Sequence, residues 1–358
     1  MPDRSQEYFE RLVDLDALEA YLEGELGPVD RYEVERHEQG HSNETLFVQW
    51  GDADLVIRRP PPGETADTAH DVLREYAFID SLQNTAVPVP PTVAATDDHS
   101  IIGSDFYVME RVEGTVLRQG EPAPFANAAA RERVGTQLTD TLAAIHQVDT
   151  EAVGLDEFGH PEGYTERQVT RWGTQLAWAF EVTAEDREVP ELERVGDWLH
   201  DNVPESHPHT LVHGDYKLDN VMFGPQRPVE LVGVFDWEMA TRGDPRADVG
   251  WMLSYWRDAK DPDPVVEELV ADFMEHPEYP TRRELVERWE QQTGLEYAEE
   301  HDRFYRTLAV YKLAGLGEMF YRRYLEGNAD NPMYPKMEDR VPALAERATR
   351  IIDGEEPL

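Results

Sequence analysis

The sequence predicts an α+β fold in two lobes. Segments rich in β-formers and separated by polar turns crowd its first third, and helical periodicity dominates from about residue 126 onward. Only short strand-like runs interrupt that helical part. The division expected from this pattern is an N-terminal lobe over 1–110, a connection over 111–125 and a helical lobe over 126–358. At 358 residues, 40% of them hydrophobic, the chain is long enough to bury a sizeable core.

Leu12, Leu15, Leu18, Leu22 and Leu26 recur near helical spacing, so a cover helix is expected from Leu12 until Gly27-Pro28 ends it. Thr45 to Trp50 and Leu55 to Arg58 read as strands joined through the turn Gly51-Asp52-Ala53-Asp54. A helix follows over about Thr68 to Leu82. After the proline-rich Pro88 to Pro91 come two more strands, Thr92 to Thr96 and Phe106 to Glu110, with Asp97-Asp98 as the turn between them. The first third is therefore expected to be a small antiparallel sheet with one helix. Further helices are predicted over Ala126 to Gln147, Tyr164 to Val182, Arg246 to Arg257, Arg282 to Gln292 and Glu299 to Leu325. Short strands are expected at Leu211-Val212, Val221 to Phe223 and Leu231 to Phe235.

Composition excludes several functions. There is no cysteine, hence no disulfide, thiolate nucleophile or Cys-based zinc site. The N-terminus, Met1 to Asp14, lacks an apolar signal core, and no stretch approaches about 18 uninterrupted apolar residues, so a cytoplasmic protein without a membrane anchor is expected. Asp and Glu number 74 against 33 Lys and Arg, a formal charge of -41, and they are spread among Trp, Leu and Val rather than gathered in a tail. Molar salt shortens the screening length to about 3 Å, and the acidity reads as adaptation to a salt-rich cytosol. Such a surface repels a nucleic-acid backbone, so no nucleic-acid partner is expected.

The most specific pattern is His213-Gly214-Asp215-Tyr216-Lys217-Leu218-Asp219-Asn220, with Asp236 closing an apolar strand sixteen residues after Asn220. Phosphoryl transfer needs a carboxylate to orient the attacking hydroxyl and hard oxygens to hold Mg²⁺ on the phosphates. Asp215 suits the first role, mainly as a positioning group because an ordinary Asp, with pKa near 4, is a poor base. Asn220 and Asp236 suit the second. Lys217, one of four lysines, can reach the transferring phosphate as a point charge. The bland reading of such residues is a polar surface loop.

In the first lobe Gly40-His41-Ser42-Asn43 lies between strands, where a backbone cradle over phosphates would sit, Ser42 among its donors; a lone hairpin glycine is more often a plain turn. Arg58 ends a strand as a cation for the α and β phosphates, with Glu75 as its partner, against the alternative of a snorkelling Arg and a solvated Glu. Main-chain groups of Glu110 and Val112 suit an adenine edge, with simple strand-to-loop structure competing. Asp248 either braces the catalytic loop or caps the helix that follows it. Arg167, Arg171 and Trp172 read either as ligand contacts or as core and surface.

Together these residues resemble the aminoglycoside phosphotransferase family, in which the protein-kinase signature set appears in altered form. His213-Gly214-Asp215 is similar to its catalytic loop and Asp236-Trp237-Glu238 to its metal-binding motif. Phe106-Tyr107-Val108-Met109-Glu110, Pro161-Glu162-Gly163-Tyr164 and Tyr321-Arg322-Arg323-Tyr324-Leu325-Glu326-Gly327 resemble the subgroup related to the kinase-like domains of some acyl-CoA dehydrogenases. The resemblance implies a protein-kinase-like fold, ATP and Mg²⁺ as cofactors, Asp215 as catalytic acceptor, Asn220 and Asp236 as metal ligands, and Arg58 in place of the nucleotide-binding lysine. It implies a small-molecule hydroxyl substrate: a sugar, an amino alcohol or a hydroxyacyl-CoA. A nucleotide-binding pseudokinase and a metal-dependent hydrolase built on His213, Asp215 and Asp236 are the competing functions.

Overall fold

The computed structural model describes residues 4–37, 43–62, 71–205, 207–259, 261, 264, 266–328 and 331–358. The chain divides into two compact units, one of Met1–Gly114 with Val232–Ala240 and one of Thr115–Leu231 with Thr241–Leu358. Val232–Ala240 thus joins the first unit, which a division of the chain at 110 and 126 does not anticipate. Among the described residues no helix is long and apolar enough to cross a membrane.

The first unit opens with α1 (Arg4–Leu12) and α2 (Leu15–Leu26). The single helix expected from Leu12 is broken because the Asp14 side chain accepts the Ala17 N–H and caps a new start. Strands β1 (Tyr32–His37), β2 (Glu44–Trp50) and β3 (Ala53–Arg59) follow, then α3 (Val72–Ser81), β4 (Thr92–Thr96), the one-turn α4 (His99–Ile102) and β5 (Phe106–Glu110). The expected start of α3, at Thr68, falls outside the described residues. The sheet is antiparallel in the order β1-β2-β3-β5-β4. Side chains alternate across it. Leu46, Val48, Trp50, Leu55, Ile57, Phe106 and Val108 turn to one face and cluster with Leu12, Leu18, Leu22 and Ile102 from the helices. Buried Arg59 ties that layer together by donating to the carbonyls of Leu12 and Ile102. Arg58 lies on the opposite face, its register partner being Tyr107, and α3 packs beside β4 and β5.

The second unit comprises α5 (Ala128–His146), α6 (Tyr164–Thr183), α7 (Pro190–Asp201), β6 (Thr210–Val212) and β7 (Val221–Phe223). Strand β8 (Leu231–Val234) leads the chain to the first unit. The chain returns with β9 (Thr241–Gly243), then α8 (Arg246–Ser254), α9 (Arg282–Thr293), α10 (Glu299–Leu325) and α11 (Met337–Ile352). The 27-residue α10 is its axis: α6, α7, α8 and α11 all pack on it. Beside α8 the fit depends on Gly250, since a Cβ there would lie 2.6 Å from the Tyr305 backbone. Antiparallel pairing of β6 with β9 sets Val212 opposite Thr241, so His213 and the start of α8 come out of the same two-stranded ladder.

Candidate active-site residues

Asp215 follows β6, and four side chains around it fix its loop. The Trp251 indole on α8 donates to Asp215 Oδ1 at 2.8 Å. Asn220 Nδ2 donates to Asp215 Oδ2 and to its carbonyl, each at 2.8 Å, and Lys217 Nζ also donates to Oδ2. Lys312 on α10 donates to the Gly214 carbonyl at 2.8 Å. Burial pushes the Asp215 carboxyl up, but Lys217 and Lys312 outweigh it and hold the group below its ordinary value. Asp215 is therefore an ionised carboxylate with Oδ2 doubly engaged and acceptor capacity left on Oδ1.

Asp248, 1% exposed, resolves the choice between cap and brace. Its Oδ2 accepts the His213 N–H at 2.6 Å and its Oδ1 the Gly214 N–H at 2.8 Å. His146 Nε2 lies 3.3 Å from the same carboxylate, and His146 Nδ1 accepts the Trp289 indole N–H at 2.9 Å. An indole can only donate, so Nδ1 carries the lone pair and Nε2 the proton that points at Asp248. Burial raises the Asp248 carboxyl, yet the His146 and backbone hydrogen bonds bring it below its usual range. Gly214 is held on both sides, by Asp248 at its N–H and by Lys312 at its C=O. Its φ of 82° is one that glycine adopts without strain.

Within the first unit, the expected residues gather around Arg58. Arg58 Nη2 lies 3.6 Å from Glu75 Oε2, and Nη1 donates to Thr45 Oγ1 at 3.3 Å. Glu75 is 1% exposed, so the solvated-Glu alternative does not hold. Burial lowers the affinity of the guanidinium for its proton, but Glu75 leads Tyr107, Asp236 and Glu238 in raising it further. Asp236 is the sole positive-φ non-glycine residue among those described, at 66°. Asp tolerates that left-handed conformation better than most side chains, at a cost of about 1–2 kcal/mol. Its segment is pinned where Val234 N–H donates to the Pro88 carbonyl at 2.8 Å and Arg74 donates to the carbonyls of Glu238 and Ala240.

Among the described residues no three His, Cys, Asp or Glu side chains gather into a metal cage. A magnesium ion carried on nucleotide phosphates asks for only one or two protein oxygens. Asn220 fits that need: its NH₂ is committed to Asp215, which turns Oδ1 to the other side of the amide.

The other expected residues divide. Ser42 lies outside the described residues. Glu110 N–H is taken by the Pro91 carbonyl at 2.8 Å, while the main chain of Val112 enters no main-chain hydrogen bond among the described residues. Arg167 donates to the carbonyls of His160 and Glu162, and Trp172 is core. Trp251, Lys312, His146 and Trp289 carry no motif. Trp251 and Lys312 reach the loop, and His146 with Trp289 behind it reaches the brace Asp248, from helices far from Asp215 in the chain, so spacing gives no signal for them.

Residues 33–285 match the APH phosphotransferase enzyme family. The chain is 33% identical over 344 residues to acyl-CoA dehydrogenase family member 10 of Mus musculus, covering 94% of itself but 31% of that relative's length. A solved Ralstonia eutropha chain named as an aminoglycoside phosphotransferase is 29% identical with a TM-score of 0.82, over 96% of this chain and 99% of that one. The ADP-bound aminoglycoside phosphotransferase APH(2'')-Ib, 14% identical with a TM-score of 0.59 over 95% and 99% of the two chains, shares the fold. The fold is kinase-like, and the chain belongs to the aminoglycoside phosphotransferase-type phosphotransferase family.

Proposed function

We propose that the protein transfers the terminal phosphate of ATP to a hydroxyl group of a small molecule. The observation that carries this reading is the fixation of Asp215, a low-pKa carboxylate held by Trp251, Lys217 and Asn220, inside a chain of phosphotransferase ancestry. An ionised carboxylate with free acceptor capacity on Oδ1 orients an alcohol O–H and takes its proton late, as the oxygen bonds to phosphorus. Asn220 and Asp236 are the proposed ligands of magnesium, which when bound neutralises the phosphate oxygens and orients them. Arg58, steadied by Glu75 and Thr45, meets the α and β phosphates; its planar fork binds them bidentately where an ammonium would act as a point charge. The main chain of Val112, which enters no main-chain hydrogen bond among the described residues, supports an adenine contact there. ADP in APH(2'')-Ib supports a nucleotide as donor.

For the acceptor, the relation to acyl-CoA dehydrogenase family member 10 favours a hydroxyacyl thioester over a sugar or an amino alcohol. The test is ADP release in molar KCl across hydroxyl-bearing metabolites and CoA thioesters. The wild type is expected to turn over one class, and Asp215→Asn to lose at least about 100-fold in kcat while still binding ATP. Full turnover by that variant would strip Asp215 of its assigned role. Arg58 in the lysine position favours one second reading, a nucleotide-binding regulator. ATP binding with no phosphate transfer to any hydroxyl in the same screen would select it.

A further inference from the structure

Two of the four lysines of this arginine-rich chain, Lys217 and Lys312, lie beside Asp215, and the proposed chemistry uses only the first. Lys312 comes from the middle of α10. Its Nζ donates to the Gly214 carbonyl at 2.8 Å, sits 4.0 Å from the centre of the Trp251 ring and 5.9 Å from that of Trp172. Trp251 in turn donates to Asp215 Oδ1 at 2.8 Å. One cation therefore touches both structures that aim the carboxylate: the peptide before it and the indole bonded to it.

We propose that Lys312 is a positioning residue for the Asp215 carboxylate, acting in its charged form through the Gly214 carbonyl and the Trp251 ring, so that turnover declines on the alkaline side as the ammonium is lost. The inference rests on the phosphotransfer reading. An ammonium over an indole face is held by the ring's quadrupole as well as by its hydrogen bond; a neutral amine keeps the bond at best and loses the attraction to the ring. The charged groups facing it are Asp215 and Lys217 on the loop, Asp248 on α8 and Arg171 on α6. Burial lowers the Lys312 pKa to about 8, with Lys217 and Arg171 acting in the same direction and the two carboxylates opposing them. That value brings the loss of charge into the working range, whereas an arginine in its place stays protonated throughout.

Two measurements test this. With lysine carbons labelled, the four side chains give few NMR signals, and Lys312→Arg assigns the one of interest. The wild type is expected to show Lys312 titrating near pH 8, with the Trp251 indole N–H, assigned through Trp251→Phe, shifting at the same midpoint; in Lys312→Arg that indole shift disappears. An indole indifferent to the titration, or one that moves identically in Lys312→Arg, overturns the proposal. The second measurement is kcat for ADP release from magnesium-ATP in molar KCl, with the acceptor class found by the screen or, failing one, with water as acceptor. Lys312→Met is expected to lose on the order of 100-fold in kcat with KM for ATP unchanged, and Lys312→Arg to recover activity without the alkaline limb. A limb that persists in Lys312→Arg, or a Met variant with wild-type kcat, refutes it; if Lys312→Met fails to fold, the Arg profile decides. Asp215→Asn, run alongside, separates the outcomes: its full activity would overturn the phosphotransfer role while leaving the indole-lysine coupling to be judged by NMR.

Discussion

Asp248 does at one position what the loop cannot do alone, accepting two successive backbone N–H groups and one imidazole while shut away from water. Hydrogen bonds to a charged acceptor contribute about 1.5–3 kcal/mol each. Asp248→Asn presents an NH₂ where an acceptor is required, so a loss of about 3 kcal/mol is expected, read as a lower urea midpoint. The pH dependence has a definite sign. The folded carboxyl lies below its unfolded value near 4. The native state therefore binds fewer protons, and the stabilisation is complete above that unfolded value and is lost as pH falls through the lowered one. Urea midpoints measured from pH 7 downward should fall more steeply for the wild type than for Asp248→Asn. The closeness of Asn220 to Asp215 and of Glu75 to Arg58 is legible in the sequence, through a five-residue step in the first case and a cation near a strand end in the second. Trp251, Lys312 and His146 are not, because their positions are set by how α5, α8 and α10 pack, which only tertiary structure reveals.

Among the elements, α10 matches its predicted span, Glu299 to Leu325, because a proline-free run leads from acidic residues in its first turn to Arg322 and Arg323 in its last. Strand β1 escapes such a reading: Tyr32–His37 alternates charged residues with a half-buried face, a faint signal on the sheet's edge. Helix α11 escapes it because Pro342, a residue that normally ends a helical pattern, lies within it and forfeits one backbone N–H near the helix start. The α8–α10 contact makes a sharp prediction. Gly250→Ala forces a Cβ against Tyr305 main chain and should destabilise by about 1–3 kcal/mol, since neither helix can yield locally. In α2, by contrast, a Cβ on Gly24 meets nothing within 4 Å, and Gly24→Ala should stabilise by about 0.5–1 kcal/mol. Thermal denaturation of the two variants tests both signs at once.

For the molecule as a whole, the charge of -41 is the dominant electrostatic fact. Self-repulsion of this kind destabilises the compact state and is screened over roughly 10 Å at 0.1 M salt and about 3 Å at 1 M. The melting temperature should therefore climb between 0.1 M and molar KCl, and a flat profile would show that the acidic surface has no bearing on salt tolerance. The α+β class and the order of β-rich and helical parts follow from the sequence because hydrophobic period changes with element type. The return of Val232–Ala240 to the first unit does not, since it depends on carbonyl contacts made by Arg74 and Val234, and no side-chain pattern announces main-chain contacts.

That returning segment also sets an order of events during synthesis. The first unit lacks the carbonyl acceptors of Arg74 until residue 240 has left the ribosome, when much of the second unit has already been made. A nascent chain arrested near residue 114 would hold an incomplete unit, its sheet formed but its Arg74 guanidinium without Glu238 and Ala240. Protease resistance of this region should thus appear only after residue 240 emerges, out of step with its place ahead of the second unit in the chain.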